Sequence, residues 1–173
     1  MDCNAELVVD LTQSAGAFDI DLSKIDPAFG IVANYKWMLG PYSTGFLYVS
    51  PKYHGGQPLE EGWITRKNSK DFAKLVDYQD QYEPGAIRYD MGQRSNFSLV
   101  PGVLEALRQI RKWGIANIQN TLYHSNLVLC KNLSDLGLQI PRAENRGPHF
   151  IGAKLPSEAP TNILETLAEK KIF

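Results

Sequence analysis

The stretch Ala33-Asn34-Tyr35-Lys36-Trp37-Met38-Leu39-Gly40-Pro41-Tyr42-Ser43-Thr44-Gly45-Phe46-Leu47-Tyr48-Val49 decides the fold of this chain. It begins on the last residue of one apolar run, Phe29-Gly30-Ile31-Val32-Ala33, and ends on another, Gly45 to Val49. Between them stand a lysine and a Gly-Pro turn. Runs that are apolar at successive positions, not alternate ones, fit strands covered on both faces, the pattern of an α/β sheet. Toward the N-terminus, Glu6-Leu7-Val8-Val9-Asp10 reads as another such strand, and Asp21-Leu22-Ser23-Lys24-Ile25-Asp26-Pro27 as a short turn of helix. The predicted class is therefore α/β. Open sheets of this class bind ligands at the carboxyl ends of their strands, where Asp10 and the Lys36 loop fall.

Toward the C-terminus the texture becomes helical. Leu99, Val103, Leu107 and Ile110 recur at helical spacing, with Ser98 as a candidate cap and Pro101 acceptable in the first turn. Gly114 interrupts. A second helix carries Ile118, Leu122, Leu129, Leu133 and Leu136, and Gly137 is placed to end it. Leu138 to Pro141 and His149 to Leu155 read as two strands around the turn Asn145-Arg146-Gly147-Pro148. Thr161 or Asn162 is placed to cap a last helix running to about Lys171. Glu83-Pro84-Gly85 marks a boundary, which divides the chain into residues 1–82 and 83–173.

Composition excludes several function classes. Lysine and arginine number 18 against 19 acidic residues, so there is no basic stripe for nucleic acid and no acidic tail. At 43% hydrophobic the chain can bury a core, yet no apolar run approaches the roughly 20 residues of a membrane span. The opening Met1-Asp2-Cys3-Asn4-Ala5-Glu6 lacks the basic and apolar regions of a signal peptide. Cys3 and Cys130, the only cysteines, form neither a disulfide framework nor a metal cluster, which points to a reducing cytosol. His54, His124 and His149 are scattered without metal-ligand spacing. Cys130 reads as core, the tryptophans as core or interface, and Arg88 as a surface ion-pair residue. Gly55-Gly56 is too short for a phosphate loop.

Taken singly, Asp10 reads as a turn cap, Lys36 as a solvated strand-end lysine and Leu39-to-Gly45 as an ordinary loop. Together they read differently. A carboxylate and an amine at the ends of two buried strands face one cleft, and their opposite charges make co-burial tolerable.

At this point the residues resemble a family. Asp10-x-x-Gln13, Tyr35-Lys36-Trp37-Met38-Leu39-Gly40-Pro41 and Thr44-Gly45-Phe46-Leu47-Tyr48-Val49 are similar to class V aminotransferase-type pyridoxal-phosphate enzymes. That group includes cysteine desulfurases, selenocysteine lyases, kynureninases and isopenicillin N epimerase-like proteins. Pro84-Gly85-Ala86-Ile87-Arg88-Tyr89-Asp90-Met91-Gly92, with Ser95-Asn96-Phe97, resembles it too. The resemblance implies the C-terminal part of the large cofactor domain of a fold-type I enzyme, followed by most of the small α+β domain. It implies pyridoxal 5'-phosphate as cofactor, with Lys36 holding it as a Schiff base and serving as general acid/base. Asp10 then pairs with the pyridine nitrogen, and Gln13 lies near the phenolic oxygen. Tyr35 reaches the phosphate, as in the kynureninase and epimerase-like branches; Ala33 stands where many members have a serine. Thr44 approaches the phosphate of the neighbouring subunit, with Ser43 in place of the usual glycine, and Asn96 lies in a segment brought to the same dimer-side cleft.

The resemblance further implies an amino-acid substrate, a homodimer in the full-length form, and transamination, lyase or desulfurase, or epimerase chemistry. The family's Gly-rich phosphate turn and ring-stacking aromatic precede the Asp-x-x-Gln motif, and its carboxylate-binding arginine follows the last helix. None lies within this sequence, which stops at Phe173. The expectation is thus a fragment that binds the cofactor weakly, each lost charge-assisted contact costing roughly 1.5–3 kcal/mol. The alternative is a non-catalytic remnant or interaction module.

Overall fold

The computed structural model describes residues 4–74 and 76–172; Met1-Asp2-Cys3 and Phe173 lie outside the described residues. The chain divides into two compact units, Met1–Ile115 and Ala116–Phe173.

The first unit holds a sheet of order β1-β2-β3, with β1 at Val8–Asp10, β2 at Phe29–Ala33 and β3 at Gly45–Val49. Strand β1 runs parallel to β2, pairing Val8 with Phe29 and Asp10 with Ile31. Strand β3 returns antiparallel, pairing Ala33 with Gly45 and Phe29 with Val49, so the Lys36 loop is the connection between two hydrogen-bonded neighbours. All three apolar runs are strands, but the prediction that both faces are covered fails. Gly30 and Val32 are buried, whereas Val8, Ile31 and Leu47 remain 56%, 48% and 43% exposed. An unbroken apolar run records what a strand tolerates on each face, and the described residues cover one face of β2 only.

Between β1 and β2 a single helical turn, α1 (Leu22–Ile25), is capped by the Asp21 carboxylate, which accepts from the Ser23 N–H at 3.0 Å. After β3 the chain runs through 3₁₀ turns at Pro51–Tyr53, Trp63–Thr65, Phe72–Lys74 and Gly85–Tyr89. Arg88 corrects its sequence reading. It is half-buried, donates to the Gly56 carbonyl at 3.1 Å and sits against the Tyr82 ring, in place of a surface ion pair.

Helix α2 spans Val100–Trp113 with Pro101 in its first turn, and Gly114 ends it at φ 81° while donating to the Ile110 carbonyl. Its cap differs from expectation. The N-cap position is Leu99, without a side-chain cap bond, and in the turn before the helix the Asn96 side chain accepts from the Ser98 and Leu99 N–H groups at 3.0 and 2.9 Å. Asparagine reaches these donors as well as a serine does, and it stands where the chain enters the turn.

The second unit is built on α3 (Ile115–Asp135) and α4 (Ile163–Glu169). Gly137 ends α3 at φ 85°, and the Leu138 N–H donates to the Leu133 carbonyl, as a left-handed C-terminal glycine permits. Cys130 is buried on α3. The two predicted strands shrink to one antiparallel pair, Gln139 with Lys154, bonded both ways at 3.0 and 2.9 Å. Arg146-Gly147-Pro148 and the chain around them are held instead by turn and side-chain bonds, among them Asn126 to the Pro148 carbonyl at 2.7 Å. Asn162 stands at the N-cap of α4 without a side-chain cap bond.

Candidate active site

The site is assembled from the exits of β1 and β2. Asp10, the last residue of β1, is solvent-exposed and bends its carboxylate back to accept the Thr12 N–H at 2.8 Å. Hydrogen bonds from the Thr12 hydroxyl and N–H, with a smaller contribution from the Lys36 charge, hold the Asp10 carboxyl below the usual carboxylate range. The Thr12 oxygen also accepts the Ala33 N–H at 2.9 Å. One hydroxyl thus ties the turn after β1 to the last residue of β2, two sequence segments 21 residues apart. The Leu11 N–H, donating to the Ile31 carbonyl at 2.8 Å, extends the ladder to the same point.

The Lys36 loop closes on its own backbone. The Asn34 N–H donates to the Thr44 carbonyl at 3.0 Å, and the Gly40 N–H donates to the Asn34 carbonyl at 2.8 Å. The Thr44 hydroxyl donates to the Pro41 carbonyl at 2.7 Å. Glycine is required twice. A Cβ on Gly40 would lie 2.8 Å from the Asn34 Cβ, and one on Gly16, at φ 95°, would lie 2.4 Å from the Trp37 carbonyl oxygen. Gly16 therefore lets the turn that follows Asp10 rest directly on the Trp37–Met38 peptide. Leu39 and Ser43 both take left-handed backbone, at φ 56° and 63°, so the loop reverses twice without glycine.

Lys36 is half-buried, with its Nζ 5.7 Å from the Tyr35 ring centroid. Tyr35 in turn stacks on Tyr42, centroids 4.5 Å apart and planes at 16°. Gln13 is exposed on the turn after β1. Thr44 and Asn96 line another space, a cleft of about 710 Å³ that also takes in Ile31, Ala33, Gly45 and Leu99. The sequence-predicted residues thus form two groups. Asp10, Tyr35 and Lys36 lie at the strand exits, with Gln13 on the adjoining turn; Thr44 and Asn96 line the cleft. Sequence reasoning left out Thr12, Gly16 and Tyr42. The signal for Thr12 was present, a hydroxyl two residues after an aspartate at a strand end. Among the described residues no group of three or more His, Cys, Asp or Glu side chains is arranged to hold a metal ion.

The donor set suits pyridoxal 5'-phosphate. A carboxylate held in its ionised form and a lysine amine, on adjacent strand exits, are what a protonated pyridine nitrogen and an aldehyde carbon require of their protein partners.

Comparison with known proteins bears on this directly. No family model matches the chain. It is similar to the kynureninase of Shouchella clausii, 29% identical over 172 residues, which is 95% of this chain and 39% of that enzyme. Its fold matches the apo cysteine desulfurase of Thermococcus onnurineus NA1 with a TM-score of 0.73 at 21% identity, over 99% of this chain and 42% of that one. It also matches a lysine-to-alanine mutant of C-DES, with glycine covalently linked to its PLP cofactor, at TM-score 0.69 and 21% identity, over 93% and 41% of the two chains. The chain is thus similar to class V aminotransferase-like enzymes. Its fold is that of the fold-type I PLP enzymes, with a mixed α/β architecture and a small sheet. Class V relatives are PLP-dependent enzymes acting on amino acids, and this chain spans about 40% of their length.

Proposed function

We propose that this chain carries the lysine side of a pyridoxal 5'-phosphate site and acts on an amino acid by transamination, lyase or desulfurase, or epimerase chemistry. The supporting observation is the Asp10–Thr12–Ala33 bridge. It sets a persistent carboxylate beside Lys36 at two adjacent strand exits. When bound, the cofactor supplies an electron-accepting ring that stabilises negative charge at the substrate's α carbon.

The chain's own residues do the rest. Asp10 would hold a proton on the pyridine nitrogen, because the Thr12 hydrogen bonds favour its ionised carboxyl. Lys36 would hold the cofactor and would move a proton at the substrate's α carbon. Gln13 donates toward the phenolic oxygen. Tyr35 would donate its hydroxyl to the phosphate, and Thr44 and Asn96 would serve a phosphate across the subunit boundary of a homodimer. For Thr44 this means turning its hydroxyl away from the Pro41 carbonyl, and for Asn96 using the amide nitrogen that its capping bonds leave over. The limit between large and small domains falls at residues 82 and 83, and the compartment is a reducing cytosol. Among the described residues no helix is long and apolar enough to cross a membrane.

Titration of the purified chain with pyridoxal 5'-phosphate tests the reading. The expected result is a visible absorption band that Lys36→Ala abolishes and that Asp10→Asn shifts or weakens. The exposed apolar residues Val8, Ile31 and Leu47 favour a second reading, an interaction module without catalysis. A band indifferent to Lys36, or none at millimolar cofactor, would decide for that module.

A further inference from the structure

We infer that Tyr42 is a positioning residue, one that aims Tyr35 and, through it, the phosphate end of the ligand bound at Lys36. The inference rests on the cofactor reading above. The Tyr42 ring is 74% exposed and yet lies nearly parallel to Tyr35 at 4.5 Å. A ring so open to water contributes little to a core, and its placement is bought by the backbone. Pro41 fixes φ before it, Ser43 reverses the chain after it at φ 63°, and the Thr44 hydroxyl bond to the Pro41 carbonyl closes the turn. Pro41 is itself seated against α2, with its ring carbons 3.5 and 3.6 Å from where a Gly102 Cβ would stand. Tyr42 is therefore set by its turn, and the Tyr35 ring meets both the Tyr42 ring and the Lys36 Nζ, which lies 5.7 Å from its centroid. Offset-stacked rings restrict each other's tilt, so the direction of the Tyr35 hydroxyl is set by a residue outside the strand exits.

The test compares Tyr42→Ala with Tyr42→Phe in the full chain, using two probes, pyridoxal 5'-phosphate and pyridoxal. Tyr42→Ala is expected to weaken Lys36-dependent binding of the phosphorylated aldehyde roughly three- to tenfold, the range of one stacked aromatic pair. Binding of pyridoxal should stay unchanged, and Tyr42→Phe should restore full affinity because it keeps the ring. Equal loss with both aldehydes, equal loss in both variants, or no loss in Tyr42→Ala would overturn the inference. Circular dichroism of each variant separates unfolding from these outcomes, and a misfolded Tyr42→Ala would overturn it as well, by making Tyr42 a stability residue. If instead the band survives Lys36→Ala, the cofactor reading fails, whatever Tyr42 does.

Discussion

The first unit and the second each depend on a glycine in left-handed backbone, and the two glycines stand in opposite surroundings. Around Gly16, a Cβ would sit 2.4 Å from the Trp37 carbonyl oxygen; around Gly137, at the end of α3, there is no neighbouring atom within 4 Å. The first glycine exists so that two backbones can touch, the second only so that a helix can stop. The contrast extends to the whole of each region. The strand exits are held by backbone approach, the hydrogen bonds of the Lys36 loop and one threonine, while the helical unit is held by local capping and the turn bonds that follow it. A site built by backbone contact is exact, and it should fail abruptly when one atom is added.

Gly16→Ala is the most severe break. The added methyl cannot fit without displacing the Trp37–Met38 peptide, and φ 95° is strained for any side chain. We expect a loss of at least about 3 kcal/mol in urea unfolding, together with loss of any Lys36-dependent cofactor band. Retention of the band in a stable Gly16→Ala protein would mean that the turn after β1 does not support Lys36.

Thr12→Val comes next, because it removes an acceptor and a donor while keeping the shape. The part-buried Ala33 N–H loses its partner, at a cost of about 1–3 kcal/mol by chemical denaturation. The same substitution has a pH signature. Asp10 titrates lower in the folded chain than its ordinary value of 3.8. The stability this contributes is therefore fully present above that value and is lost as pH falls through the depressed folded one. Removing the Thr12 hydroxyl takes away its largest cause, so the gap between wild type and Thr12→Val should narrow on acidification through that window. A gap constant down to strong acid would show that Thr12 acts on Ala33 alone.

These residues also show how far the sequence could be read. The strands were visible because Phe29–Ala33 and Gly45–Val49 are unbroken apolar runs bounded by turn residues, and the breaks at Gly114 and Gly137 because glycine alone ends those periodic stretches so sharply. The placement of Asp10 and Lys36 at neighbouring strand exits was visible for the same reason. What stayed hidden depends on distances that no local pattern encodes. Thr12 bridges two segments, and Tyr42 finds its partner only once the Pro41 turn has closed. The exposure of Ile31 and Leu47 was hidden because hydropathy states what a face tolerates, not what covers it. Leu138–Pro141 and His149–Leu155 reduce to one residue pair because their composition allowed extended backbone without specifying a ladder.

Gly137→Ala measures the other side of the contrast. With open space around it, the only cost is left-handed backbone for an alanine, about 1 kcal/mol, and the cofactor band should not change. A cost matching that of Gly16→Ala would erase the distinction between the two glycines.

Ser43→Gly is the smallest change and the one with the opposite sign. Ser43 holds φ 63° where the resembled family usually places glycine, so the wild type carries left-handed strain of about 1–2 kcal/mol beside Tyr42 and Thr44. Glycine relieves that strain but gives the unfolded chain more freedom, which returns roughly 0.5–1 kcal/mol. The net gain should be under about 1.5 kcal/mol, a small upward shift in the unfolding midpoint. Stability and positioning then separate. A more tolerant residue at 43 loosens the turn that fixes the Tyr42 ring, so the variant should be slightly more stable and yet bind pyridoxal 5'-phosphate slightly less well. If stability and binding rise together, the serine contributes strain alone, and the rigidity of the Lys36 loop must come from the Gly40 and Thr44 bonds without it.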